Sequence, residues 1–254
     1  MEVALINGLF VRMAGPLGGR TLILLHAFAD SSLAFAPLFA TPLADRFRLV
    51  APDLAGFGAS PPRQNVRTIA DHAEAVAALV ASLPMPGPVG LVAHSVASMI
   101  AVEAVPRLGV RFAGLFSIEG NLTAEDAYLS GRAADFDDAD KFKQHFVDHI
   151  WTMAQTHPVM RRYFAMAVVA DPAAMWQLGC DARHRSAGDD PGQAYRSVQP
   201  SFYYWSRAST PETTARWIAQ SDFKRRQFTN ASHWPMVDRP EETAEAIAEF
   251  FDRM

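Results

Sequence analysis

The chain of 254 residues has a single cysteine and no concentrated charge of either sign. Cys180 cannot form an internal disulfide, and its neighbours Gly179 and Asp181 do not suggest an activated thiol, so the sequence favours a reducing compartment. The 23 basic and 27 acidic residues give a net charge of -4 without any block of like charge. This pattern argues against a nucleic-acid surface and a polybasic membrane anchor, and it predicts a small molecule as partner.

The sequence also lacks an internal repeat, a low-complexity tract and a long apolar run at its start. The opening stretch "MEVALINGLFVRM" carries an acid at Glu2 and is interrupted at Asn7-Gly8. It therefore fits neither a signal peptide nor a membrane-spanning helix. We expect a cytoplasmic protein with no membrane partner, and no feature of the sequence fixes an oligomeric state.

Half of the residues (50%) are hydrophobic and 20% are charged, which is enough apolar material for one large core. Asn7-Gly8 predicts a hairpin turn between two strands. Strand-like runs then alternate with helical spacing as far as Gly120, which is typical of a mostly parallel sheet flanked by helices. The strand-like runs are "TLILLHA", "FRLVAPDL", "VGLVAHS" and "RFAGLFSIEG"; the helical stretches are "SSLAFAPLFATPLADR", capped by Asp30 or Ser31, "TIADHAEAVAALVASL" and "VASMIAVEAVPRL".

The rhythm changes between residues 121 and 197, where helical stretches rich in large apolar residues follow one another without a strand. The runs "SFYYWS" and "RRQFT" then restore the strand pattern, each followed by a helical stretch. Because these strands complete the first sheet, the helical segment is an excursion from one domain. We predict an α/β core made of residues 1–120 and 198–254, with a helical cap inserted at 121–197.

Four short stretches stand in order along the chain, each at the end of a predicted strand. They are "LLHAFADSS" (24–32), "APDLAGFGAS" (51–60), "VAHSVAS" (92–98) and "NASHWPMVDRPEE" (230–242). Together they resemble the landmarks of the α/β-hydrolase superfamily, over nearly the whole chain. The resemblance implies an α/β-hydrolase fold, with a mostly parallel eight-stranded sheet and an inserted helical cap.

In that superfamily a serine nucleophile stands on a strained turn between a strand and a helix, written G-x-S-x-G. Here the turn reads Ala93-His94-Ser95-Val96-Ala97. Alanine is the smallest replacement for the flanking glycines, so the turn remains possible. The turn also places Ser95 at a helix N-terminus, where free N–H groups favour a developing negative charge. A serine that only caps this helix is the alternative.

A serine hydroxyl needs a base that accepts its proton, and histidine has a suitable pKa. His233 is the candidate, because "SHWPMVDRPEE" resembles the histidine loop of the superfamily. The resemblance gives His26 and His94 supporting roles. The remaining five histidines are interpreted as structural or surface residues: His72, His145, His149, His157 and His184.

The acid that orients the imidazole is not where most superfamily members carry it, just after the penultimate strand, since "SFYYWS" runs into "RASTPE". The resemblance to the superfamily implies an alternative position at the end of the strand before the cap, where Glu119 stands in "LFSIEGNL". We assign Glu119 as the acid, with Asp222 and Glu212 as rivals. A carboxylate that caps the first cap helix is its other interpretation.

By resemblance, the backbone N–H groups of Phe28 and Val96 would form the oxyanion hole. Asp53, Gly56, Gly58 and Ser60 match a loop-shaping turn and are interpreted as structural. The cap is rich in aromatic residues and methionine, which make a deformable apolar pocket. The substrate pocket is predicted to include His26, Phe142, Phe146, Trp151, Tyr163 and Trp234.

These features predict a serine hydrolase that needs no cofactor and cleaves a small to medium, fairly apolar carboxylic ester. The same triad would serve a thioester, a lactone or a carbon–carbon bond of a diketone, and a slow-turnover receptor or lyase of the same fold stays open. Serine at the turn argues against enzymes with an aspartate nucleophile, such as epoxide hydrolases. His145 and His149 have the i,i+4 spacing of some zinc sites, but no third ligand is evident and no metal is predicted.

Overall fold

The computed structural model describes residues 1–85, 87–188 and 190–254. An eight-stranded sheet with the order β1-β2-β4-β3-β5-β6-β7-β8 forms its centre. The strands from β3 onward run parallel, and β1 and β2 add an antiparallel hairpin at one edge. The strands are β1 (Glu2–Ile6), β2 (Leu9–Ala14), β3 (Arg20–Leu25), β4 (Phe47–Pro52), β5 (Val89–His94), β6 (Phe112–Ile118), β7 (Ser201–Trp205) and β8 (Arg225–Gln227). The predicted sheet is confirmed.

The hairpin turn is the one that the sequence predicts. Asn7 has φ +49° and Gly8 has φ +77°, the two positive values that a tight hairpin turn between twisted strands requires. Ile6 then pairs with Leu9 across the turn.

The central strands are buried on both faces, which explains why their sequences are apolar without alternation. Every residue of β4 and of β5 is buried. Close packing at Gly90 in β5 brings the C-terminal helix onto the sheet, since a Cβ atom there would lie 2.3 Å from the ring of Phe251.

Helices pack against the sheet as two contacting groups. α3 packs on α2 and on α7, while α10 packs on α1, on α9 and on the 3₁₀ helix Ser32–Ala40. None of the helices in the described ranges is long and apolar enough to cross a membrane. The helices are α1 (Leu43–Arg46), α2 (Ile69–Ser82), α3 (Ala97–Leu108), α4 (Ala139–Ala154), α5 (Pro158–Val169), α6 (Pro172–Gly188), α7 (Pro191–Ser197), α8 (Glu212–Gln220), α9 (Pro235–Asp238) and α10 (Pro240–Asp252).

The first predicted helix differs from expectation in type. Ser31 is its cap, with Oγ accepting from the Leu33 N–H, but the turn that follows is a 3₁₀ helix with Pro37 inside it. The proline ring clashes with the carbonyl four residues earlier in an α-helix and offers no N–H, so an α-helix is disfavoured here. The chain forms a short 3₁₀ helix and continues separately as α1.

Between β6 and β7 the described residues form helices and no strand. Two short 3₁₀ helices, Ala124–Ala127 and Ser130–Asp135, come before α4 to α7, and α6 packs on the second of them and on α4. The predicted division at residues 121 and 197 stays a prediction.

Candidate active site

Ser95 stands on the turn between β5 and α3. Its φ of +57° lies in the left-handed region, which is strained for a residue with a side chain. The Ser95 N–H donates to the carbonyl oxygen of Ile118 at 2.9 Å, which fixes the turn to the end of β6. Ala93 and Ala97 are both completely buried, so the two extra methyl groups fit into the packing.

Glu119 and His233 contact each other beside this turn. Glu119 Oε2 lies 3.1 Å from His233 Nδ1, and the Glu119 side chain is only 2% exposed. The second carboxylate oxygen, Oε1, accepts a hydrogen bond from the Ser206 N–H. Glu119 itself has φ +49°, and its N–H donates to Tyr204 O at 2.9 Å. The backbone of Glu119 and its Oε1 are therefore fixed by hydrogen bonds, and Oε2 contacts the imidazole.

The two rival acids lie elsewhere. Asp222 forms an ion pair with Arg196 at 3.2 Å and its side chain is 88% exposed. Glu212 pairs with Arg207 at the surface. Of the three carboxylates, the structure brings only Glu119 to the imidazole.

Ser95 and His233 line the same cavity. Within the described part of the chain, Ser95 Oγ makes no hydrogen bond, so the hydroxyl is not committed to capping α3. A serine hydroxyl without a structural partner, beside an oriented imidazole, is suited to nucleophilic attack.

Two backbone N–H groups, that of Phe28 on the cavity wall and that of Val96 next to Ser95, lack an acceptor in the described part of the chain. Among the described residues, neither the N–H of Phe28 nor that of Val96 donates a hydrogen bond, although both residues are buried. Buried N–H groups are nearly always paired, so two unpaired ones beside Ser95 suit a transient anion. In the loop after β3, Ala29 follows Phe28 directly and takes left-handed backbone, with a φ of +53°.

His94 contacts the histidine loop at His233. Its Nε2 lies 2.8 Å from the backbone carbonyl oxygen of His233, and the two rings lie 4.7 Å apart between centroids. Burial, with the adjacent His233, lowers the pKa of His94 well below its usual value. The ring is therefore neutral and donates from Nε2 to the carbonyl, since a carbonyl oxygen can only accept.

This combination of elements also occurs in known proteins. The sequence profile of the alpha/beta hydrolase family matches residues 22–246, most of the chain. The chain belongs to the alpha/beta hydrolase family. It is therefore a hydrolase, and the family implies a small-molecule substrate. A comparison with curated proteins gives no match.

Solved structures resemble this hydrolase over nearly its whole length. An esterase from Thermogutta terrifontis is 21% identical with a TM-score of 0.73, covering 100% of this chain and 99% of that one. An N-acyl homoserine lactonase is 17% identical with a TM-score of 0.78, covering 99% and 96%. An E-2-(acetamidomethylene)succinate hydrolase is 23% identical with a TM-score of 0.77, covering 99% of each chain. At these identities the likeness shows the fold.

The cavity of the hydrolase has a volume of about 620 Å³. Of the predicted pocket residues, Tyr163 and Trp234 line it, as does Phe28. Phe142 and Phe146 do not, because both are buried in an aromatic cluster with Phe28. The structure places both rings away from the cavity wall, and their role as pocket residues stays a prediction.

Trp151 and His26 also lie away from the cavity wall, and their role as pocket residues stays a prediction. Trp151 is 53% exposed and packs on Phe164 at the surface, with ring centroids 5.0 Å apart. His26 is completely buried: Nε2 accepts from the Leu54 N–H at 2.9 Å, and Nδ1 lies 2.8 Å from Ala27 O. Burial lowers the pKa of His26, so it is a neutral ring that joins two loops.

The structure adds pocket residues that the sequence analysis missed. Two of them are histidines interpreted as structural or surface residues, His149 and His157, which line the cavity while remaining exposed. The i,i+4 spacing of His149 and Met153 on α4 could have indicated this face. Further lining residues from the helical segment are Tyr128, Leu129, Arg132, Val159 and Met160, and those after β7 are Ala208, Ser209, Thr210 and Pro211.

The loop after β4 is built as a structural turn. Asp53 is completely buried and accepts from the N–H groups of Ser32 and Ala59. Gly58 has φ +57°, and a Cβ atom there would lie 2.3 Å from Asp53 Oδ2.

No group of three histidine, cysteine or acidic side chains suited to a metal is found in the described ranges.

Proposed function

We propose that this hydrolase cleaves carboxylic esters through an acyl-enzyme formed on Ser95. The observation that carries the proposal is the contact of Glu119 with His233 beside the strained Ser95 turn, at one wall of a cavity. Glu119 accepts a hydrogen bond from the Nδ1–H of His233, which leaves Nε2 as the base toward Ser95. Ser95 Oγ attacks the ester carbonyl carbon while its proton passes to Nε2.

The tetrahedral intermediate carries its negative charge on the former carbonyl oxygen. The N–H groups of Phe28 and Val96 stabilise that charge, each by about 3 kcal/mol in comparable sites. The intermediate collapses as the bond to the alcohol breaks, and His233 gives its proton to the departing oxygen. Water then attacks the acyl-enzyme, His233 takes its proton, and the acid leaves as Ser95 regains its hydrogen.

The cavity supports a small to medium, fairly apolar substrate. A volume of about 620 Å³ lies within the usual range for small-molecule sites. Met153, Met160 and Leu129 provide apolar walls from the segment between β6 and β7. We assign that segment, residues 121–197, as a cap whose helices close the site over the strand ends.

The experiment is steady-state hydrolysis of p-nitrophenyl esters of increasing acyl length, with a lactone as an added substrate. Wild-type protein is compared with Ser95→Ala and with Ser82→Ala, an exposed serine on α2 that serves as matched control. We expect Ser95→Ala to lose about 10⁴-fold or more in kcat, and Ser82→Ala to behave as wild type. If folded wild-type protein hydrolyses none of these substrates, the proposal is wrong.

A further inference from the structure

Asp30 lies in the loop after β3 and is completely buried. Its two oxygens lie 2.7 Å and 2.8 Å from Nη1 and Nη2 of Arg162, a bidentate ion pair. Oδ2 also accepts from Trp234 Nε1 at 2.8 Å, and Oδ1 from the Ser31 N–H at 2.8 Å. Paired bonds from a planar guanidinium fix the orientation of a carboxylate as well as its distance.

This carboxylate joins three separate segments of the molecule. Arg162 belongs to α5, between β6 and β7. Asp30 belongs to the loop that presents the Phe28 N–H. Trp234 directly follows His233 in the histidine loop. One buried group therefore connects the proposed cap to both loops that the proposed reaction uses.

A second contact from α5 reaches the same loop. The Tyr163 hydroxyl donates to the carbonyl oxygen of Phe28 at 2.9 Å. Burial, with the nearby charge of Asp30, raises the pKa of Tyr163 well above its usual value, so the hydroxyl keeps its proton. The Tyr163 ring also packs on Trp234, with centroids 4.9 Å apart.

We propose that Arg162 is a positioning residue, which through Asp30 holds the Phe28 N–H and His233 in the geometry for attack. Asp30, Arg162, Tyr163 and Trp234 are called the Asp30 clasp. A buried ion pair is weak support for stability, since apolar residues often serve equally well, whereas it fixes geometry that apolar contacts leave loose. The inference rests on the proposed function and adds that the cap sets the rate of the chemical step.

The test compares Arg162→Met with Arg161→Met. Arg161 is its neighbour on α5, and its Nε donates to Ala154 O, at the end of α4, at 3.1 Å. Both variants lose one charge from one helix, but only Arg162→Met opens the Asp30 clasp. The combination of Arg162→Met with Asp30→Asn removes both charges of the ion pair, and it replaces the single variant if that one does not fold.

Two readouts separate positioning from folding. We expect Arg162→Met to lower kcat for p-nitrophenyl butyrate by about 10- to 100-fold, with KM changed less than about threefold. The inhibition constant of phenylboronic acid, which forms a tetrahedral adduct with an active serine, should rise by a similar factor. Arg161→Met should match wild type in both. A lower melting temperature with unchanged kcat and inhibition would overturn the proposal.

Amide hydrogen exchange of residues 26–31 and 232–236 tests the clasp independently of turnover. We expect faster exchange in both segments of Arg162→Met and wild-type exchange in Arg161→Met. If wild-type protein neither hydrolyses esters nor binds phenylboronic acid, the proposed function fails, and exchange alone decides whether Arg162 holds the loops. Unchanged exchange in Arg162→Met would then contradict the clasp as well.

Discussion

Strands β6 and β7 lie side by side and end at the same edge of the sheet, but the residues that follow them differ in chemistry. After β6 comes Glu119, whose buried carboxylate contacts His233. After β7 comes Ser206, which has no carboxylate but donates its N–H to Glu119 Oε1. Because the carboxyl ends of parallel strands meet, an acid on either strand reaches the same imidazole. The strand without the acid supplies the donor that holds it.

The segments that leave the two strands are also joined. Thr123, after β6, hydrogen bonds to Thr214 of α8 at 2.7 Å. Asp126 accepts from the Thr214 hydroxyl at 2.8 Å, and Glu125 accepts from that of Thr213 at 2.8 Å. The two strand ends therefore behave as one support for Glu119, and each of the following substitutions acts on one part of it.

The largest effect is expected from Glu119→Gln. The amide keeps the shape of the side chain, but it is neutral and also offers N–H donors, so it no longer fixes the proton on His233 Nδ1. We expect kcat to fall about 10³- to 10⁴-fold, with a far smaller change in KM.

Asp222→Asn, after β7, is the matched control for this substitution. Asp222 is exposed and paired with Arg196, so kcat should stay within about twofold of wild type. Equal effects of the two substitutions would mean that the acid lies elsewhere.

A smaller effect is expected from crowding the end of β6 with Gly120→Ala. A Cβ atom at Gly120 would lie 2.2 Å from Ser117 Oγ and 2.5 Å from Ser98 Oγ, so the chain beside Glu119 must shift. We expect a loss of about 1–3 kcal/mol in the free energy of unfolding and a kcat lowered by about tenfold. Gly18→Ala is the control, since its Cβ atom would meet nothing within 4 Å. Full activity in Gly120→Ala would show that Glu119 tolerates the shift.

The smallest effect concerns the pH dependence of stability through Asp126. Burial raises the pKa of Asp126 above its ordinary value of 3.8. Hydrogen bonds to the carboxylate lower this pKa in part, and the nearby charge of Glu119 raises it further. The folded state therefore keeps a proton that the unfolded state has released. The stability contributed by this carboxyl falls as the pH rises from 3.8 through the raised pKa.

Asp126→Asn removes that titration. Urea unfolding from about pH 3.5 to about pH 7 should show the variant gaining stability relative to wild type as the pH rises. A difference that stays constant over this range would contradict the raised pKa.

Much of the fold and part of the site could be predicted because they follow from strand ends. Ser95, Glu119 and His233 each come shortly after an apolar run, and parallel strands bring such positions to one edge. Glu119 was predictable because the other strand end carries no acid. Their roles in the reaction remain the proposal.

The pocket could not be predicted in the same way, because a face of α4 other than its buried face reaches the cavity. Phe142, Phe146 and Ile150 share its buried face, while His149 and Met153 reach the cavity from another. Apolar character alone therefore does not tell which face of α4 reaches the cavity. The pairing of Asp30 with Arg162 spans 132 residues and has no local pattern.

In the loops that follow β3, β5, β6 and β8, four of the described residues other than glycine take left-handed backbone: Ala29, Ser95, Glu119 and Asn230, with φ between +49° and +57°. At such positions glycine is the cheapest residue for the backbone. A glycine at Ala29 or Asn230 would remove only a small side chain. At Ser95 and Glu119 it would ease the turn and remove the hydroxyl or the carboxylate. Under the proposed reaction, selection for stability and selection for turnover therefore act in opposite directions at these two residues, and a chain released from selection for turnover would accumulate glycine there.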